Sequence, residues 1–313
     1  MARAMPGKHD HKRDIHGILL LDKPSGPTSN RVLQRVKRLF RAAKAGHTGS
    51  LDPLATGMLP ICFGAATRVS SYLLGARKTY TVSAKLGEAT DSGDSDGVVI
   101  ARQDPPTLSV ATVRTTLTGF LGEIEQIPPM YSALKHQGRR LYELARRGIE
   151  VERSPRPVQI AAIELLSYDW PILEFTVTCS KGTYIRTLVE DIARELGTIG
   201  HVVGLRRTAV EPFQEPDMVS IQTLEATEAD GLERLDKVLK PVDSALTQWP
   251  RLVVQDELCG RLSHGQTVPA ERDWPRSWVR LYDPQEVFFG IGEVESEGRL
   301  VPRRIFPGLS SWS

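Results

Sequence analysis

One carboxylate in the chain sits where acid–base or nucleophilic chemistry is plausible from the residues alone. It is Asp52, in the stretch Gly46-His47-Thr48-Gly49-Ser50-Leu51-Asp52-Pro53-Leu54-Ala55-Thr56-Gly57. Three glycines in twelve residues let this backbone turn tightly and lie close to a ligand. Pro53 pushes its neighbour out of the helical region, so a short acidic side chain is expected in an extended conformation on a pliable loop. The chain offers no GxGxxG or GxxxxGK[ST] phosphate cradle and no metal-ligand spacing. Cys62, Cys179 and Cys259 are scattered without a CxxC pair, which argues against a disulfide framework and fits a reducing cytoplasm.

Recognisable elements must hold that loop. Before it, an apolar run at 17–21 is expected to be a strand buried on both faces. Thr28, Ser29 and Asn30 then offer helix N-caps, and Val32, Leu33, Val36, Leu39 and Phe40 recur at the helical period. After it, 58–63 reads as strand, 67–74 as a short helix, and 78–86 alternates apolar and polar residues as a half-buried strand does. The acidic turn at 88–97 partly mimics a calcium loop but lacks the first carboxylate and the closing Glu; it is expected to be a polar hairpin connection. Residues 108–121 and 184–196 are expected to be helical, with a strand pair at 159–167 and 172–179, and 202–213 carries the basic Arg206-Arg207 pair. The basic, turn-rich stretch 128–157 carries a thin apolar stripe over 139–147 that suggests a loosely held helix.

The Asp52 string resembles the catalytic motif of the TruB-type pseudouridine synthases, and the likeness continues along the chain. It runs through Gly17-Ile18-Leu19-Leu20-Leu21-Asp22-Lys23-Pro24, Arg77-Lys78-Thr79-Tyr80, Ile127-Pro128-Pro129-Met130-Tyr131-Ser132-Ala133-Leu134-Lys135, Cys179-Ser180-Lys181-Gly182-Thr183-Tyr184-Ile185-Arg186-Thr187 and Leu205-Arg206-Arg207. The resemblance covers roughly two thirds of the chain, in the family's order. It implies an α+β fold with a central mixed, mostly antiparallel sheet flanked by helices, followed by a small β-rich PUA-like domain. The expected organisation is a basic tail over 1–16, a catalytic domain over 17–250 with an RNA-contacting insertion near 128–157, and a PUA-like RNA-binding domain over 251–313. Short strand candidates separated by glycine, proline and acidic turns support the last of these.

By the same resemblance Asp52 is the essential aspartate and Arg186 the cation that orients it and keeps it ionised. A helical pair of Arg186 with Glu190 is the alternative, in the less favourable order. Tyr80 is either a core residue of its strand or the aromatic that stacks on the target base, with a hydroxyl able to move a proton. His47 resembles the residue that fills the stack vacated by a flipped-out base. Tyr184 and Leu205 match positions lining the nucleotide pocket, Lys23 is grouped with the substrate-binding residues, and Lys135, Arg139 and Arg140 are expected to meet phosphates. The reaction this implies is isomerisation of the T-loop uridine of tRNA, position 55, to pseudouridine, which involves no redox change and needs no cofactor. A non-catalytic tRNA-binding or folding protein on the same scaffold is the alternative.

Bulk properties are compatible with this. A net charge of +2 announces no nucleic-acid partner, but Arg31, Arg35, Lys37, Arg38, Arg41 and Lys44 cluster without an intervening acid. No apolar run approaches the length of a membrane helix, so a cytoplasmic monomer acting on tRNA without a membrane or an obligate protein partner is expected.

Overall fold

The computed structural model describes residues 12–104, 106, 108–306 and 309. The chain divides into two compact units, one ending at Leu239 and the next beginning at Lys240. The division falls before the expected boundary at 250: Asp243, on the short helix Val242–Leu246, accepts hydrogen bonds from Arg280 and Tyr282 of the second unit.

The first unit is built on a nine-stranded sheet. Its order is Val219–Ser220, Gly17–Lys23, Thr56–Phe63, Gly200–Val210, Lys78–Leu86, Ile172–Cys179, Arg156–Asp169 and Gly122–Gln126, with Ala45–His47 pairing off Thr56–Phe63. Two pairings are parallel, Val219–Ser220 with Gly17–Lys23 and Gly200–Val210 with Thr56–Phe63; the rest are antiparallel. The strand Lys78–Leu86 is central, and its residues alternate between buried and half-buried as the sequence pattern demands. Thr56–Phe63 is instead buried almost throughout, as befits a strand covered on both faces.

Helix Ser29–Leu39 is capped by the Thr28 hydroxyl, which accepts from the Arg31 amide, and it buries Val32, Leu33 and Val36. Helix Ile185–Glu195 buries Ile185, Leu188, Val189 and Ile192, and Gly197 follows it at φ 76°. Burying these stripes along with Leu19, Leu21, Val82 and Phe175 makes one continuous core.

Three expectations need correction. Residues 12–16 are not a tail: the Arg13 amide donates to Arg41 O, its guanidinium pairs with Asp236, and His16 Nδ1 accepts from the Ala65 amide. Residues 1–11, with His9 and His11, lie outside the described residues. The stretch 139–147 is not one helix; Arg139–Arg140 pairs with Lys135–His136 as a ribbon, and only Leu141–Ala145 is helical. Gln137 and Gly138, at φ 47° and 85°, form the tight turn that closes this ribbon. The 67–74 helix is a 3-10 turn, Gly64–Arg68, followed by helix Ser70–Gly75.

The second unit holds a five-stranded sheet of Arg251–Val253, Trp278–Tyr282, Phe288–Val294, Arg299–Ile305 and Val268–Pro269, in that order. Helix Asp256–Ser263 packs Cys259 and Leu262 into a core with Val279, Leu281, Phe289 and Leu300.

Candidate active site

Asp52 sits on the loop joining Ala45–His47 to Thr56–Phe63, and side chains from three elements hold that loop's backbone. Ser29, in the first turn of its helix, accepts from the Leu51 amide at 2.8 Å and donates to Leu51 O at 2.9 Å. Lys23, at the end of the first strand, donates to Pro53 O at 3.1 Å, Ala55 O at 2.7 Å and Pro24 O at 2.9 Å. Arg207, on the central strand Gly200–Val210, donates to Gly49 O at 2.9 Å and Met58 O at 2.7 Å. A loop rich in glycine is thereby fixed at five carbonyls or amides rather than left pliable.

The carboxylate meets its partner at the start of helix Ile185–Glu195. Arg186 Nε lies 3.0 Å from Asp52 Oδ2 and 3.6 Å from Asp94 Oδ2. Its other nitrogens are engaged with Ser92 O and Tyr131 O, each at 2.7 Å. The guanidinium is thus satisfied on every side and its orientation is set by groups far apart in the chain. Its partners do not include Glu190 among these bonds, so the helical alternative does not describe this site. The Arg186 side chain is only 7% exposed and that of Asp94 6%, whereas Asp52 keeps 43%. Burial of the remaining sides of Asp52 pushes its pKa above the ordinary carboxylate value; Arg186 pulls it back and Asp94 adds to the rise. Because one face stays open, water screens part of that shift.

Asp94 and Tyr131 escaped sequence reasoning. The acidic hairpin pairs Glu88–Thr90 with Val99–Arg102 and turns inward between them. Gly93 and Ser95 bond to Val202 on the central sheet, and the Ser92 hydroxyl and Asp96 amide both donate to Asp94 Oδ1. Gly93 sits at φ 74°, a left-handed conformation that favours glycine, where the hairpin turns beside the Arg186 helix. The signal in the sequence is a glycine flanked by small polar and acidic residues, common to any exposed turn.

Tyr80 is buried on the strand Lys78–Leu86, where the register sets it opposite Arg207 on Gly200–Val210. Burial raises the phenol pKa, and Arg207 opposes the rise. His47 is half-buried at the end of Ala45–His47; burial, then the positive charge of Arg207, lowers its pKa and keeps the imidazole neutral. Its Nδ1 has no hydrogen-bond partner among the described residues. Tyr184 caps the Arg186 helix, its backbone clasped by the buried Gln126 side chain at 3.0 and 3.3 Å. Leu205 is half-buried opposite Val82.

Lys23 is not available to a substrate. It is fully buried, its three N–H groups go to three carbonyls, and burial lowers its pKa to about 8. Lys135, Arg139 and Arg140 are exposed on the ribbon of the 128–157 segment, away from these contacts. The segment is tied to the site through the Tyr131 carbonyl on Arg186.

Family models match most of the chain, segment by segment. Residues 37–185 match the TruB family pseudouridylate synthase N-terminal domain, and residues 186–247 the tRNA pseudouridylate synthase B C-terminal domain. Residues 250–306 match the pseudouridine synthase II TruB C-terminal domain. The chain is 50% identical over 293 residues to tRNA pseudouridine synthase B of Nitrosococcus oceani, spanning 94% of this chain and 95% of that one. It is 48% identical over 295 residues to the enzyme of the same name from Pseudomonas aeruginosa, spanning 94% and 97%. Among solved structures, a Cbf5–Nop10–Gar1 complex has a chain that superimposes with a TM-score of 0.71 at 26% identity, over 95% of this chain and 85% of that one. The fold is that of the pseudouridine synthases, and the chain belongs to the TruB family of tRNA pseudouridine synthases.

Proposed function

We propose that the chain converts the T-loop uridine of tRNA, position 55, to pseudouridine, with Asp52 as the essential carboxylate. The observation that carries this reading is the contact of Asp52 with a buried, fully engaged Arg186 at 3.0 Å, on a carboxylate that keeps an open face. The reaction breaks the N1–C1′ bond, turns the uracil and joins C5 to C1′. It therefore needs an ionised carboxylate beside the sugar and base, in a pocket that retains the detached uracil. Burial works against ionisation of Asp52, and Arg186 opposes that effect.

Tyr80 stacks on the uracil and presents its hydroxyl to a proton in transit. Tyr184 and Leu205 line the same nucleotide pocket. Flipping the uridine out of the folded T loop costs a few kcal/mol, and the neutral, planar His47 ring fills the vacated stack. Lys135, Arg139 and Arg140 meet the RNA backbone from their exposed ribbon, and the C-terminal β domain adds RNA contacts. No protein partner is required in this account.

Unmodified full-length tRNA incubated with the protein and mapped by base-specific chemical tagging tests the site of modification. Product confined to the T-loop position supports the proposal. Product in the anticodon arm or D arm, with the T loop untouched, would refute it.

A further inference from the structure

Arg207 has an unusual position. It is 1% exposed, yet no acidic group lies within ion-pair distance of it among the described residues. Its neighbour Arg206 points to the other face of the strand and pairs with Asp22 and Glu215. The register sets Arg207 opposite Gly57 on one neighbouring strand and opposite Tyr80 on the other. Its guanidinium reaches Gly49 O, before Asp52, and Met58 O, after it. Its backbone presses on Gly57 so closely that a Cβ there would lie 2.3 Å from Arg207 O. A buried, unpaired cation is costly to hold in a core, and an apolar side chain of similar volume would fill the space more cheaply. What only arginine supplies is five donors in a rigid fork.

We propose that Arg207 is a positioning residue of the reaction, locking both ends of the Asp52 loop to the strand that carries Tyr80. The inference rests on the function proposed above. In that reading Asp52 and Tyr80 act on one nucleotide, the carboxylate beside its sugar and base and the phenol against the uracil. The uracil turns between them while detached from the sugar. A displacement of the loop by about an ångström costs on the order of a hundredfold in rate, and Arg207 joins the two supports: its side chain bonds the loop at Gly49 O and Met58 O, and its backbone pairs opposite Tyr80.

The test compares wild type, Arg207→Lys, Arg207→Met and Tyr80→Phe, with the combination of Arg207→Lys and Tyr80→Phe, on an unmodified T-arm stem-loop. Single-turnover pseudouridine formation and RNA affinity are measured for each. Arg207→Lys keeps the charge but cannot span both carbonyls, so it is expected to fold even where Arg207→Met does not. It should slow the chemical step roughly 10- to 100-fold while RNA affinity stays within about twofold. Its effect should shrink in the Tyr80→Phe background, since the two act through one arrangement. Equal losses in rate and affinity, a wild-type rate in Arg207→Lys, or strictly additive effects with Tyr80→Phe would each overturn the inference. Failure of wild type itself to form product would instead strike the functional reading, and the inference would fall with it.

Discussion

Replacing Arg186 probes the site most sharply, because each of its nitrogens has a different task. Arg186→Met would strip the partner from Asp52, remove the cation beside Asp94, and leave Ser92 O and Tyr131 O without the guanidinium donors. Loss of the hairpin and of the 131 segment would then obscure the chemistry. Arg186→Lys is the cleaner change: one ammonium can serve Asp52 or Asp94, but it cannot also reach two carbonyls on different loops. A charge-assisted hydrogen bond is worth about 1.5–3 kcal/mol. Asp52 is 43% exposed, so water makes up part of what is lost and the lower half of that range applies. At 1.36 kcal/mol per factor of ten, the single-turnover rate should fall about 10- to 50-fold. The pH dependence carries the second signature. Burial already raises the Asp52 pKa and Arg186 holds it down, so weakening Arg186 raises it further. A larger fraction of Asp52 is then protonated at a given pH, and the rate declines earlier as pH falls. Pseudouridine formation would be followed between about pH 5 and 8. A profile superimposable on wild type, with only RNA affinity reduced, would refute the reasoning and make Arg186 an RNA-binding residue.

Four further outcomes follow from the same geometry. Because the folded-state pKa of Asp52 is raised, folding disfavours its charged form; Asp52→Asn should therefore raise the melting temperature at pH 7, with the gain vanishing as pH falls through the unfolded value near 3.8. An unchanged or lower melting temperature at pH 7 would contradict this. Lys23 is lowered from 10.5 to about 8, so its burial penalty is present in full below pH 8 and fades between 8 and 10.5. Wild-type stability should accordingly climb across that window in urea titrations, and Lys23→Met should flatten the climb. Gly57→Ala places a methyl 2.3 Å from Arg207 O at φ +95° and should destabilise by at least about 2 kcal/mol, while Gly46→Ala, with nothing within 4 Å, should be tolerated. Serine at Lys135, Arg139 and Arg140 together should reduce the slope of log affinity against log salt by about 2, measured by RNA titration at several salt concentrations.

Much of the scaffold was legible because periodicity and burial agree. The alternation of Lys78–Leu86 placed Tyr80 on the buried face, and the helical stripes over Ser29–Leu39 and Ile185–Glu195 put Arg186 at a helix start. Lys23, grouped by resemblance with the substrate-binding residues, is instead held in the core, where three converging carbonyls satisfy it. Arg206 and Arg207 are a basic pair in the sequence, and period-two alternation through Gly200–Val210 sends them to opposite faces, Arg206 to Asp22 and Arg207 to the core. Asp94 could not be found this way, since long-range packing of the hairpin on Val202 is what turns it inward. The Arg139–Arg140 ribbon was hidden by a thin helical stripe that the Gln137-Gly138 turn overrides.

The central claim is that Asp52 is the catalytic group of an RNA uridine isomerase. An unmodified T-arm stem-loop, wild-type protein and Asp52→Asn test it directly, with pseudouridine quantified by nucleoside chromatography, since the isomers share one mass. The account predicts stoichiometric product with wild type, none with Asp52→Asn, and RNA affinity equal within about threefold, because removing one carboxylate leaves the phosphate contacts intact. Near-normal product from a clean Asp52→Asn preparation would contradict it.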